Sequence, residues 1–501
     1  MGVLIPFSCQ SNASIKRGRE LAKVHCASCH QFPSPDLLDK ATWSTHVLPE
    51  MGLHFGIFSP GDSTNAERLR LRFLDGDFPK KPTLTGQEWI DISKFYLYSS
   101  KETLEIPQKT TLPLRLDFES TSLHMDGPAG GPAVTAVNLD EKSQEIWIAD
   151  QNNQKLSSFD QNGKLLVTYK SPSAISSITV GNEIEEARSI FLTAIGFSIQ
   201  PTDINNGYLE KLIIAKNGNI KSRNFLLDKL NRPVFAQWAD ITKDGSQELL
   251  VGSFGNIDGE LTIFREISTG KWEKHFSYEA AGAVSVEVQD FNNNGRNDIV
   301  ALFAQGAEKI ILFENGLDNR INAIDLIEFP PSYGSTSIQL KDFNGDGMPD
   351  ILYTCGDNAD LSPILKPYHG IYIYLNKGNY VFEESYFYPF HGAYKAMAAD
   401  FTGDGALDIV AISFFGDYSN PGDQGFVLLE NKGFPVFEAT TLPIGHLGRW
   451  ICMDVGDVDQ DGDMDIVLGN YSAFVTKNEV PTTWAKGPHS LLLKNSRKNS
   501  P

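Results

Sequence analysis

Cysteine is scarce, with 5 in 501 residues, so a disulfide scaffold is excluded and the chain holds itself together by buried apolar surface. Basic residues are outnumbered, 43 Lys and Arg against 63 Asp and Glu, and the resulting net charge of -20 excludes a nucleic-acid binder and direct adhesion to anionic lipid. Long apolar runs are missing too: none reaches the roughly eighteen residues that cross a bilayer as a helix. The sequence also lacks a Ser-His-Asp or Cys-His arrangement, a Gly-rich phosphate loop and any flavin or quinone signature. At this length it is too long for one ordinary domain.

What it has in excess is Asp, placed in register. Lys341 to Leu352, KDFNGDGMPDIL, sets oxygen-bearing side chains at Asp342, Asn344, Asp346 and Asp350, with Gly347 for the tight turn. Alternating oxygens of this kind converge on a hard cation that takes six to eight of them, one from the backbone carbonyl of Met348. The pattern recurs at Asp240, Thr242, Asp244 and Glu248; at Asp290, Asn292, Asn294 and Asp298; at Asp400, Thr402, Asp404 and Asp408; and at Asp457, Asp459, Asp461 and Asp465. One such stretch is as well explained by an Asx-rich turn. Five in one register point to metal. An EF-hand would need flanking helices and a Glu at position twelve, whereas these loops run into β-type DIV and DIL segments.

The loops repeat every fifty to sixty residues or so, which suits one propeller blade each. Each is preceded by an apolar strand (SVEVQD, SIQLKD, KAMAAD), followed by a second (DIVALF, DILYTC, DIVAIS), and then by a third such as KIILFENG or FVLLENKG. Residues 230 to 497 in this way resemble the FG-GAP repeats of integrin-α-like propellers, and the resemblance implies up to five Ca2+ ions. Two upstream units without ligands, around AVTAVNLD and AISSITVG, bring the count to seven blades. Leu112 to Glu119 is expected to supply the outer strand missing from the last blade. If each loop joins a first strand to a second, the opposite face gathers the remaining loops into a funnel. Arg449, Trp450, His391 and Tyr394 are its candidate lining, with Arg232, His446, Asn256, Asp357, Asn358, Asp417, Asn470 and Tyr471 nearby. For each of these the plainer alternative is a solvated rim. Arg449 stands where Gly282, Gly334 and Gly392 stand in other repeats.

The sharpest single motif is HCASCH, His25 to His30. C-x-x-C-H attaches c-type haem: Cys26 and Cys29 form thioethers and His30 is the proximal ligand. A redox C-x-x-C would want a βαβ context, and zinc a second Cys/His pair. Helices are predicted at Ser14 to His25 and at Leu84 to Ser99, the second with Thr85 and Glu88 as a capping box and an apolar face of Trp89, Ile92 and Tyr96. This arrangement resembles a class I cytochrome c, which implies Met51 as distal iron ligand, with His46 and His54 as competitors. Cys355 and Cys452, a whole blade apart, are expected to be unpaired. The leader ends at Ser8-Cys9 and resembles the tail of a bacterial lipoprotein signal, which implies a lipid anchor at Cys9 as the one route to a membrane.

The expected organisation is a leader (1–13), a small all-α cytochrome c-like haem domain (14–105), a linker with the closing strand (106–125) and an all-β seven-bladed propeller (126–497). The expected function is that of an exported periplasmic or surface electron carrier with haem c and Ca2+. Its propeller docks a redox partner protein, a small molecule or a glycan. Two alternatives are an adhesive, glycan-binding propeller with accessory haem, and a propeller-based oxidoreductase. Electron carriage is favoured over catalysis because a six-coordinate haem moves electrons without activating substrate.

Overall fold

The computed structural model describes residues 7–58, 78–107, 111–127, 130–184, 187–199, 204–255, 257–316, 320–359, 364–417, 425–472 and 483–496. Seven four-stranded antiparallel sheets form the blades of a β-propeller. Blade 4 shows the pattern: an inner strand at Ala283–Gln289, then Asp298–Phe303, Lys309–Asn315 and an outer strand at Ile321–Glu328. Every residue of the second strand is buried, in blade 4 as in Asp350–Cys355, Asp408–Ser413 and Asp465–Asn470. Both faces of this strand are covered by neighbouring blades, which is why it reads as a continuous apolar run instead of an alternating one. Outer strands mix exposed and half-buried positions.

The cores lie between blades. One cluster joins Val300 and Leu312 of blade 4 to Ile351 and Tyr353 of blade 5, and the next joins Leu352 and Ile373 of blade 5 to Ile409 and Val427 of blade 6. The series ends where Leu123, Val467 and Leu492 of blade 7 meet Val134, Ile146 and Ile148 of blade 1. Blades 1 and 2 have the same four strands without acidic loops, Val134–Asp140 to Leu165–Lys170 and Ala174–Ile184 to Ile220–Leu230.

The strand that completes blade 7 is Phe118–Leu123, paired antiparallel with Ser490–Asn495 from Phe118↔Asn495 to Leu123↔Ser490. This corrects the expected Leu112 to Glu119. Pro113 has no N–H to give a ladder, and the chain around it follows blade 6 instead: Arg115 N donates to Thr441 O and Thr441 N to Pro113 O. Leu114 and Leu116, which made that stretch look alternating, are 56% and 84% exposed.

Among the described residues the N-terminal unit has three α-helices longer than one turn, α1 (Phe7–His25), α2 (Leu48–His54) and α3 (Gly86–Ser99). The Thr85–Glu88 capping box forms in both directions, and Trp89, Ile92 and Tyr96 are buried as a face. α1 crosses α3 at Gly18, where a Cβ would stand 1.9 Å from Asp91 O. Asp91 is fully buried and accepts from Ser14 Oγ, Arg17 Nε and Gln87 Nε2. Burial alone would raise its pKa, but those donors outweigh it and hold the carboxyl below its usual range. The unit sits on blade 5, with Ile364 packed against the helical core and Tyr368 Oη donating to Leu37 O at 3.1 Å.

Candidate functional sites

All five acidic loops join the inner strand of a blade to its second strand, in blades 3 to 7, and therefore share one face. Their backbone amides turn inward onto the first Asp: Gly345 and Gly347 N onto Asp342, Gly403 and Gly405 N onto Asp400, Asp461 and Gly462 N onto Asp457. Gly347 takes the positive φ its position requires, +82°.

The last ligand position behaves differently from the others. Asp298, Asp350, Asp408 and Asp465 are fully buried, and each carboxylate accepts two backbone amides. For Asp350 these are Phe343 N at 2.9 Å and Asn376 N at 2.9 Å. Equivalent bonds tie Phe291 and Asn315 to Asp298, Phe401 and Asn431 to Asp408, and Val458 and Asn495 to Asp465. These acids brace the loop against the third strand, while their remaining lone pairs still suit a cation.

The loops are unequal. In blade 7, ligand atoms of Asp457, Asp459 and Asp465 lie within 4.8 Å of one another, the one such group among the described residues. Burial, reinforced by neighbouring acids, pushes Asp465 up to about 6, while burial and Asp461 push Asp463 up to about 7. Crowded carboxylates of this kind are what a divalent cation relieves. In blade 3, by contrast, Arg265 Nε donates to Glu248 at 3.1 Å and Thr242 Oγ1 donates to the same oxygen at 3.0 Å. A guanidinium there already supplies the positive charge, and Asp240 and Asp244 are left with a weaker claim on a metal.

HCASCH sits at the end of α1, with Cys26–Ser28 forming a single 3-10 turn. Cys26 is half-buried beside Tyr96, its thiol pushed up by burial, and Cys29 is exposed; both thiols are free. His30 Nδ1 lies 2.9 Å from Gln31 O, an arrangement that puts the proton on Nδ1 and leaves Nε2 as the ligating nitrogen. Met51 is half-buried against the helical core that Cys26 and Phe32 also contact. His54, one turn further along α2, packs edge-on against Phe78 at 4.9 Å and is held below the usual histidine range by burial and then by His30. His46 is half-buried in the turn before α2. Two free thiols three residues apart, an imidazole oriented through Nδ1 and the apolar helical core beside them are the groups that could hold a covalently attached porphyrin. Ligand atoms of Cys26, Cys29 and His30 do not converge on a common point among the described residues.

The opposite face of the propeller gathers some of the expected funnel residues and not others. Arg449 is half-buried, its guanidinium 3.6 Å from the Phe414 ring centre and its Nε donating to Phe414 O at 2.8 Å. Tyr394 packs with Phe414, Phe415, Ile199 and Tyr471. Trp450 corrects the reading: it is 0% exposed and packed between blades 6 and 7 with Phe426 and Leu468. Arg449, just before the strand, lies on Phe414 while Trp450, its first residue, turns into the core between blades, so the two do not share a surface. His391 lies near buried His369, on the blade 5 side. Asn470 is buried, its Nδ2 donating to Trp484 O and Pro488 O, and Asn358 accepts from buried Lys366 at 2.8 Å. His446 is exposed, Asp417 and Asp357 are half-buried, and Asn256 lies outside the described residues. The Phe414–Phe415 pair, and Phe254 beneath Arg232, carry one sequence signal, the Ser-Phe at the end of the second strand at Ser253-Phe254 and Ser413-Phe414. Cys355 and Cys452 are unpaired.

A family model described as FG-GAP-like repeat matches residues 240–301, 290–353 and 400–468. Each match begins on the first Asp of a loop. No curated protein matches the chain. Among solved structures the chain is similar to the N-terminal domain of Nup159 (11% identity, TM-score 0.42, covering 78% of this chain and 97% of that one). It is also similar to a luciferin-regenerating enzyme (12%, 0.37, 75% and 95%) and to the exotype rhamnogalacturonan lyase YesX (11%, 0.39, 76% and 76%). This chain therefore carries FG-GAP-like repeats in a seven-bladed β-propeller, preceded by a small helical unit.

Proposed function

We propose that the protein is an exported electron carrier whose helical unit binds c-type haem and whose calcium-stabilised propeller docks a partner or ligand. The observation that carries this reading is the HCASCH turn. Its thiols are free, and the imidazole two residues beyond the 3-10 turn is oriented through Nδ1. Cys26 and Cys29 would hold the porphyrin, His30 the iron from one side and Met51 from the other. Bound haem supplies one-electron exchange. The chain's own part would be to give the group an apolar wall from the core that holds Phe55, Trp89 and Tyr96 and to fix the His30 imidazole through Nδ1. Covalent haem is assembled outside the cytoplasm in bacteria, which implies export, and Cys9 would provide a lipid anchor. A second reading, a glycan-binding propeller with accessory haem, is favoured by the aromatic floor beside Arg449.

The test is expression in a host competent for cytochrome maturation, followed by a pyridine haemochrome spectrum and a redox titration. A covalently coloured protein is expected, with colour lost in Cys26→Ala/Cys29→Ala. A colourless protein with both thiols open to alkylation would overturn the assignment. Met51→Ala should remove the sulfur-to-iron charge-transfer band; if the band was never there, His54 or His46 holds that side.

A further inference from the structure

Arg449 is not alone in breaking the repeat. In blades 3 to 7 the residue before the inner strand gives its carbonyl to the residue after the second strand: Arg232 to Phe254, Gly282 to Ala304, Gly334 to Gly356, Gly392 to Phe414 and Arg449 to Tyr471. Strand register puts these positions in correspondence, since the next residues pair as Ala283↔Phe303, Ala393↔Ser413, Trp450↔Asn470 and Pro233↔Ser253. At Gly282, Gly334 and Gly392 a Cβ would come within 2.4, 2.3 and 2.1 Å of the facing loop. The slot holds glycine in blades 4 to 6 and Ala133 in blade 1, whereas blades 3 and 7, on opposite sides of the ring, fill it with arginine. Arg232 does so at φ +49°, the left-handed region that a side chain occupies only where its surroundings hold it there.

Both side chains are fixed in the same way. Arg232 lies 5.1 Å above Phe254, its Nη1 donating to Gly255 O and its Nη2 to Ile199 O; Arg449 lies on Phe414 and donates to its carbonyl. Ile199 and Phe414 belong to one cluster with Tyr394, so the two guanidiniums border a common floor. The loops of this face also carry acids: Asp357 near Tyr394, Asp258, Asp417, Glu308, which accepts from Gly334 N and Ser335 N, and Asp150, whose carboxylate is engaged by Ala133 N and Asn153 N. Among them, Arg232 and Arg449 are anchored by backbone carbonyls and aromatic faces, which preorganises two guanidiniums there.

We infer that Arg232 and Arg449 form an oxyanion seat at the axis of the propeller, on the face opposite the acidic loops, for a small molecule carrying a carboxylate or a phosphate. Arg449, half-buried, contacts the anion; Arg232, 7% exposed, acts through its charge. Tyr394 and Phe415 offer the ligand's ring or chain a flat apolar surface. The inference rests on the propeller being the ligand-docking half of the molecule and is independent of haem, so a colourless protein would leave it standing.

The experiment is isothermal titration of the full chain in calcium with D-glucuronate, succinate and inorganic phosphate, and with glucose as the neutral control. Binding of at least one anion, weakened by salt and absent for glucose, is expected; glucuronate or succinate against phosphate tells which source of oxyanion is taken. Arg449→Gly and Arg232→Gly install the residue that blades 4 to 6 carry in that slot, so both should melt close to the parent. Arg449→Gly should weaken binding by about tenfold or more, the loss of a charge-assisted hydrogen bond, and Arg232→Gly by less. Arg449→Lys, which keeps charge without the fork, should fall between. No binding of any of the three anions, or parental affinity in both glycine variants, would overturn the proposal.

Discussion

The buried Asp at the end of each loop carries a load that its spacing alone does not reveal. In Asp350→Ala, the amides of Phe343 and Asn376 lose their acceptor inside the protein, a cost of about 2–5 kcal/mol for two stranded donors. Asp346→Ala, at an exposed position in the same loop, should change stability by less than about 0.5 kcal/mol once calcium is removed. Denaturant melts of both variants in a chelator test this; equal losses would mean that Asp350 is only a ligand. Glu287, on the inner strand of blade 4, is a second such residue. Burial lifts its carboxyl to about 7 against the pull of Lys341 and Lys395. A folded-state pKa above the ordinary 4.5 means that the fold binds the proton more tightly than the unfolded chain does. Its contribution is therefore fully present below about pH 4.5 and lost as pH rises through about 7. Glu287→Gln should flatten that part of the stability profile and melt a few degrees higher at pH 8.

Elements divide into those whose signal is local and those whose signal is not. α3 was readable because its capping box and its Trp89, Ile92 and Tyr96 face lie within one helix. The blade strands were readable because burial between neighbours gives unbroken apolar runs. The closing strand lies four to six residues beyond the alternating stretch Leu112 to Glu119: Phe118–Leu123 is polar at Ser120, Thr121 and Ser122, and only its partner Ser490–Asn495 makes it a strand. A chain beginning after Leu123 should expose that partner's edge, where Leu491, Leu492 and Leu493 are buried. Lower thermal stability and self-association by light scattering are the expected results; an unchanged monomer would show that blade 7 stands on three strands.

Across the whole molecule, the acidic face and the excess of negative charge belong together. Five loops on one side of the ring concentrate carboxylates that repel one another without cations. Chelation should lower the melting temperature of the full chain, and readdition of calcium should restore it. Asp459→Asn in blade 7, where three carboxylates converge, should remove more of that shift than Asp244→Asn in blade 3, where Arg265 already faces Glu248. A melt indifferent to chelator would leave the loops as turns.

The sequence by itself determined the repeat, the number of blades, the side on which the acidic loops lie and the C-x-x-C-H turn, because each is written in spacings of a few residues or in a fixed period. Only the tertiary structure decided which carboxylates turn inward, that Trp450 leaves the funnel for the core, that α1 crosses α3 at Gly18, and that Arg232 and Arg449 occupy one slot on opposite sides of the ring. Those outcomes depend on contacts between residues tens to hundreds of positions apart, which packing sets and local pattern does not encode.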